Sequence, residues 1–426
     1  MIDTGDTAWV LASSALVLFM TPGLSLFYGG LVRRKNVLST IMHSVFAMGL
    51  VSAVWLLIGY SLAFGPDVGG FIGWGDFAGL NNVAMDAPGP VACCFAGGPE
   101  YALSFGTSHG AYMIFQLMFA IITPALISGA FAERIKFGGY VLFFALWSLI
   151  AYSPVAHWVW AGGWLFDRGV LDYAGGTVVH INAGVAALAC AIYLGKRKGW
   201  PGSLAPPHNV PMVVIGAGIL WFGWFGFNGG SALGANGGAV VAVVATHFGA
   251  AFGLLGWALM ERLKHGKVTT VGVATGAVAG LVAITPAAGF VRPWSAAVIG
   301  LVAGIVCYLA CSLKFRFKYD DSLDVVGVHL VGGITGAMLT GVFAELAVNA
   351  AGDDGGLAGN WGQVGDQAIG VLATVVWSLG VSFALLFIVD KTIGLRVKEE
   401  DELSGLDLSQ HSEQAYSSGD VVASHK

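Results

Sequence analysis

Two histidines lie inside apolar runs, each in a similar frame. The first is in Asp172-Tyr-Ala-Gly-Gly-Thr-Val-Val-His180-Ile-Asn-Ala-Gly184. The second is in Asp324-Val-Val-Gly-Val-His329-Leu-Val-Gly-Gly333. Both read Asp, a short gap, Gly, then Val-His, with Gly four residues beyond. An ionisable side chain at membrane depth is costly and marks function by default. Each imidazole nitrogen can donate or accept, so a pair could pass a proton. The simpler role is a structural hydrogen bond between helices. The two aspartates precede their helices and are expected to cap them; Asp172 would also place negative charge at one mouth of a pathway.

Aromatic and hydroxyl side chains fall at matching depths. Trp160 closes one apolar run, Phe115 sits early in another, and Ser231 closes a third. An indole, a phenyl ring and a hydroxyl suit a small cation that also donates hydrogen bonds. The rings supply cation–π attraction of about 0.5–2 kcal/mol. One helical turn deeper come Phe119 and Phe227, two rings that could close a pore to water. The competing readings are an interfacial belt for Trp160 and ordinary core positions for the phenylalanines, of which there are 26. His43, His109, His157 and His247 also lie in or near apolar segments, with no evident pairing.

The elements that must position these groups are membrane helices. Of 426 residues, 56% are hydrophobic and 11% charged, and mean hydropathy is +0.76. Soluble domains carry about 25% charge, so a globular enzyme is excluded and a polytopic all-α membrane protein is expected. The 64 glycines suit close helix packing in lipid. Eleven spans run roughly over 8–32, 40–65, 109–132, 137–158, 178–195, 211–231, 240–261, 269–289, 294–313, 326–348 and 367–391. Spans one to five and six to ten read as an inverted repeat, with Phe27-Tyr-Gly-Gly echoed by Phe227-Asn-Gly-Gly. Entering from opposite faces, the histidines would meet mid-membrane.

Arg33-Arg34-Lys35, Arg134 with Lys136, Lys196-Arg197-Lys198, Arg262 with Lys264 and Lys267, and Lys314 with Arg316 and Lys318 come after alternate spans. The other loops hold only Arg168 and Arg292. The positive-inside rule then puts the N-terminus outside and the C-terminus in the cytoplasm. The chain divides into a transmembrane domain, 1–394, and a cytoplasmic tail, 395–426. The tail reads most simply as solvated and mobile, alternatively as a regulatory surface. A cleaved signal peptide is not expected. The five cysteines form neither a disulfide framework nor a metal pattern; Cys93 and Cys94, in an outer loop, are expected as free thiols. No phosphate-binding loop or zinc motif is present, so neither an ATP-driven pump nor a metal enzyme is expected, and no cofactor is needed.

The chain resembles the ammonium transporter family, the Amt/MEP/Rh superfamily, over nearly its whole length. The resemblance rests on Asp172 through Gly184, on Phe27-Tyr-Gly-Gly-Leu-Val-Arg-Arg-Lys-Asn36, and on Gly129-Ala-Phe-Ala-Glu-Arg-Ile135. Gly223-Trp-Phe-Gly-Phe-Asn228 and Gly327-Val-His329 match as well. It implies eleven helices in an inverted five-plus-five repeat, one pore per subunit, and a homotrimer in a cell membrane, the inner one if the cell has two. It makes Phe115, Trp160 and Ser231 similar to an outer recruitment site supported by Asp172. Phe119 and Phe227 resemble a stacked gate, and His180 with His329 a pore-lining twin-histidine pair. Trp160 and Ser231 together favour the Amt branch. Gly394 through Glu413 resembles the family's cytoplasmic region, which works with PII signal proteins; Ser412 stands where the family commonly has Gly.

The implied function is ammonium uptake without enzymatic chemistry. The cation would be recruited, stripped of water and a proton, and ammonia conducted past the imidazoles. The alternatives are an electroneutral ammonia channel and an ammonium sensor signalling through its tail. Membrane lipids are expected neighbours, and nucleic acid is not an expected partner.

Overall fold

Apolar side chains cover the outside of this chain as well as its interior. Leu57, Phe222, Val240 and Leu372 are exposed, while Ser39, Thr40, His43, Asn182, Asn228 and Thr246 are buried. A hydrocarbon solvent imposes that inversion, because a polar group facing lipid has no partner. The structure, a computed structural model, describes residues 2–89, 106–202 and 205–416. Cys93 and Cys94 lie outside these residues.

Ten described helices are long and apolar enough to cross a membrane, and an eleventh is shorter. In order they are α1 Thr4–Leu31, α2 Arg34–Phe64, α3 His109–Phe131, α4 Phe137–Asp167, α5 Gly176–Leu194 and α6 Val210–Gly230. The remaining five are α7 Gly237–His265, α8 Thr270–Ile284, α9 Pro293–Phe317, α10 Val326–Phe343 and α11 Gly362–Thr392. Between α2 and α3 lies a small hairpin, β1 Asp67–Val68 against β2 Ile72–Gly73.

The order agrees with the eleven expected spans, but several ends differ: α2 and α11 begin earlier, at Arg34 and Gly362, α4 runs on to Asp167, and two spans end short. The eighth span was expected to reach residue 289, but α8 is 15 residues, about 22 Å. Pro286 has no N–H to continue the helix, and residues 285–290 form buried turns instead. The Pro286 carbonyl accepts the Tyr173 N–H at 3.1 Å, so this break supports the segment leading into α5. The tenth span stops at Phe343 rather than 348, where the chain enters turns.

Helices α1 and α6, which carry the echoed Phe-x-Gly-Gly motifs, form the most extensive helix contact. Helices α5 and α10 both open on a π-helical turn, Gly176–Ile181 and Val326–Leu330, and each turn holds one histidine. Such wide turns recur at functional sites. The two turns touch through reciprocal glycines. A Cβ on Gly184 would lie 2.4 Å from the Leu330 backbone nitrogen, and one on Gly333 would lie 3.1 Å from the Ile181 nitrogen. Each glycine stands four residues after its own histidine, against the residue just after the other.

The tail is folded onto the helices through Tyr416 rather than loose. Ile135 and Arg396 form an antiparallel bridge. Beyond it come helices α12 Glu399–Ser404 and α13 Leu406–His411. Glu402, buried, accepts from the Lys198 N–H at 2.6 Å and from Arg396 at 2.8 Å. Asp407 accepts the Ser39 N–H at 2.8 Å, capping the start of α2. Ser412 ends α13 in the left-handed region, φ 56°, a conformation that costs an L residue about 1–2 kcal/mol and that Gly adopts freely.

Candidate functional site

The expected residues form a column. At one end Phe115, Phe119, Trp160 and Ser231 line a recess of about 10 Å³ with Gln116, Tyr173 and Leu233. That is close to the least space that holds one water-sized molecule. Phe115 and Phe119, one turn apart on α3, have centroids 4.9 Å apart; Phe119 lies 5.7 Å from Trp160 and 4.4 Å from Phe227. The Ser231 hydroxyl donates to the Phe227 carbonyl at 2.9 Å. Its hydrogen is thereby committed, and its oxygen lone pairs remain free to accept from a cation.

On the other side of this aromatic cluster, Phe227 and Trp224 lie 6.0 and 5.4 Å from the His180 ring, nearly parallel to it. The His180 and His329 centroids are 5.3 Å apart, and their Nδ1 atoms 3.2 Å. At that separation one Nδ1 carries the proton and the other accepts it, so the rings hold opposite tautomers. Nε2 of His180 is buried without a partner among the described residues.

Both histidines also line a larger cavity of about 350 Å³. Its near walls are apolar, with Leu24, Ile122 and Leu220; its far end carries Glu133, Arg197, Lys314 and Asp324. Glu133 is paired with Arg33 and Arg197, each at 2.9 Å. Burial raises the Glu133 pKa, but the two guanidiniums outweigh it and hold the carboxyl below its ordinary range. Lys314 meets Asp324 at 2.6 Å.

Asp172 caps α5 as expected but stays out of the recess, and Asp324 does not cap α10. Asp172 is fully buried and does not line the recess, so it is not positioned to touch a substrate there. Its carboxylate accepts the N–H groups of Gly175, Gly176, Thr177 and Val178 at 2.6–3.1 Å. Its backbone carbonyl accepts the Trp160 indole N–H at 2.9 Å. Both carboxylate oxygens are committed to amides, so Asp172 acts on the recess indirectly, by fixing Trp160 and the start of α5. Burial still outweighs those bonds and raises its pKa above the ordinary value.

Asp324 is not the cap of α10. Its φ is +61°, which turns its side chain to Lys314. The cap is Asp321, whose carboxylate accepts the Val326 N–H at 2.8 Å. Asp321 precedes His329 by eight residues, the same interval as Asp172 to His180.

Gln116 was not singled out from the sequence. Its side-chain oxygen is buried in the recess wall with no partner among the described residues, an acceptor for an N–H donor. As the one glutamine of α3, its isolation was the available signal. The other histidines lie outside the column. His157 meets Asp67 at 2.8 Å and the Ala63 carbonyl at 2.9 Å, and His109 meets the Tyr60 hydroxyl at 2.7 Å. His43 packs between Phe131 and Tyr140, and His247 lies against Trp221.

Known proteins share both this sequence and this fold. Residues 8–416 match the family model described as the Ammonium Transporter Family. The chain is 50% identical over 436 residues to an ammonium transporter of Mycobacterium tuberculosis strain H37Rv, covering 97% of this chain and 90% of that protein. Its fold is similar to the crystal structure of Saccharomyces cerevisiae Mep2, with TM-score 0.85, 39% identity, and 94% and 88% of the two chains covered. It is also similar to a protein titled Sensor Amt Protein, with TM-score 0.84, 29% identity, and 96% and 98% covered.

Proposed function

The chain belongs to the ammonium transporter family, and on that footing we propose that it recruits ammonium at the aromatic recess, deprotonates it, and conducts ammonia past two imidazoles that relay the proton. The observation that carries this reading is the 3.2 Å approach of the two Nδ1 atoms directly beneath the Phe119–Phe227 ring pair. Ammonium is water-sized, carries charge for the rings, and offers N–H donors to Ser231 and Gln116. Passing Phe119 and Phe227 removes its water. Desolvation disfavours the charged amine, so ammonia is the species that crosses. The proton then moves along the His180–His329 hydrogen bond. Potassium has the charge but neither a proton to shed nor a hydrogen bond to donate.

The protein is a multi-pass membrane transporter, not an enzyme in this reading. The loop charges support a recess facing outside and a tail facing the cytoplasm. The family resemblance supports a homotrimer and a PII signal protein at the tail face. The test is current across a planar bilayer containing the purified protein. Ammonium-specific current is expected to vanish when His180→Ala is combined with His329→Ala, and its survival overturns the relay. Uptake without charge movement in the wild type would instead identify an electroneutral channel.

One observation favours a sensor as the second reading: the similarity to the Sensor Amt Protein, together with a tail that is folded rather than loose. Removing residues after 395 separates the two readings. A sensor loses its output and keeps substrate binding, whereas a transporter changes in flux.

A further inference from the structure

Helix α11 stands outside the five-plus-five repeat, yet it carries a buried polar stripe. Gln363, Gln367, Thr374, Ser378 and Ser382 are each 0–1% exposed. Such a stripe in a membrane helix is costly unless it is bonded. Gln367 is fully bonded. Its side-chain oxygen accepts the Leu171 N–H at 2.7 Å, and its amide donates to the Leu171 carbonyl at 2.8 Å. One carboxamide therefore satisfies both backbone groups of an extended residue, as a neighbouring strand would. The same amide donates to the Ala337 carbonyl on α10 at 3.1 Å, and Gln363 donates to the Gln367 oxygen at 3.3 Å.

Both residues that Gln367 grips are close in the chain to the site. Leu171 precedes Asp172, whose carbonyl holds the Trp160 indole and whose carboxylate holds the first turn of α5 with His180. Ala337 lies eight residues beyond His329 on the same helix. We propose that Gln367 is a positioning residue through which α11 sets Trp160 and His180 relative to His329, so that one side chain fixes both the shape of the recess and the meeting of the imidazoles. The proposal rests on the recess and the histidine pair acting as described above.

The test uses the full chain in lipid vesicles and reads two quantities: the ammonium concentration giving half-maximal flux, and the selectivity for ammonium over potassium. Gln367→Met keeps length and apolar character while removing every bond. It is expected to raise the half-maximal concentration about tenfold, the scale of one net buried hydrogen bond, and to lower the selectivity. Gln367→Glu, held as the neutral acid by burial, retains the acceptor for Leu171 and one of the two donations; it is expected to shift both quantities less, and it carries the test if the methionine variant fails to reach the membrane. Ser382→Ala, on the same stripe but bonded to Trp147 at 3.0 Å, is expected to shift neither. A Gln367 variant at wild-type abundance with wild-type half-saturation and selectivity overturns the proposal. Trp160→Leu separates the two levels. If it shifts both quantities while Gln367→Met does not, the brace alone is wrong. If Trp160→Leu shifts neither, the reading of the recess beneath the proposal is wrong.

Discussion

Counted back from the histidines, Asp172 and Asp321 stand eight residues away in both halves, and both cap the turn that carries the ring. Their surroundings differ. Asp172 accepts four backbone N–H groups over both oxygens. Asp321 has one oxygen on Val326 and the other buried without a partner among the described residues, and burial and the neighbouring Asp324 charge push its carboxyl up to about 6 although Lys314 opposes them. The half beside the recess is locked by saturated hydrogen bonding. The half beside the large cavity leaves a titratable oxygen next to a lysine. A repeat can thus conserve the spacing that aims two side chains while its halves differ in rigidity and charge.

The sharpest way to break this comparison is to remove each carboxylate in turn. Asp172→Ala orphans four buried N–H groups and is expected to cost at least about 3 kcal/mol. Asp321→Ala removes far fewer bonds and is expected to cost about 1–2 kcal/mol. Thermal unfolding of the purified variants in detergent checks the order; equal losses would mean the two caps are equivalent.

The second prediction concerns pH. A carboxyl whose folded pKa lies above its ordinary 3.8 binds its proton more tightly in the native state. Its stabilisation is therefore greatest at low pH and is lost as pH rises from about 4 to about 6. For Asp321 the loss is at most about 3 kcal/mol. Asp321→Asn is expected to flatten that part of the profile of melting temperature against pH. An unchanged slope would assign it to other groups, Asp172 among them.

The reciprocal glycines offer a third comparison, within one crossing. Gly184→Ala drives a methyl against the Leu330 backbone, which cannot give way, and is expected to cost about 1–3 kcal/mol. Gly333→Ala meets the Ile181 Cγ1 atom at 2.9 Å and the Gly176 oxygen and Ile181 nitrogen at 3.1 Å, a looser fit than at Gly184, and is expected to cost less than Gly184→Ala. Melting temperature and ammonium flux, measured together, test whether loosening this crossing also weakens conduction.

Much of this molecule was legible in its sequence. The apolar run lengths marked eleven helices, the basic loops suggested a sidedness, and the histidine frames named the pair that the fold brings to 3.2 Å. Run length and composition are local properties, and a bilayer reads them almost residue by residue. Partner choice is not local. Whether Asp321 or Asp324 caps α10 was settled by a positive φ and by a lysine on another helix. The Asp172 cap, by contrast, is local, four amides three to six residues on; its carbonyl's hold on the Trp160 indole is not. Gln116 and Gln367 gained meaning only beside Ser231 and Leu171, more than a hundred residues away in sequence. The chain alone determined which groups must be hidden from lipid. The tertiary structure decided which of them meet, because a hydrogen bond depends on distances that packing sets and sequence separation does not record.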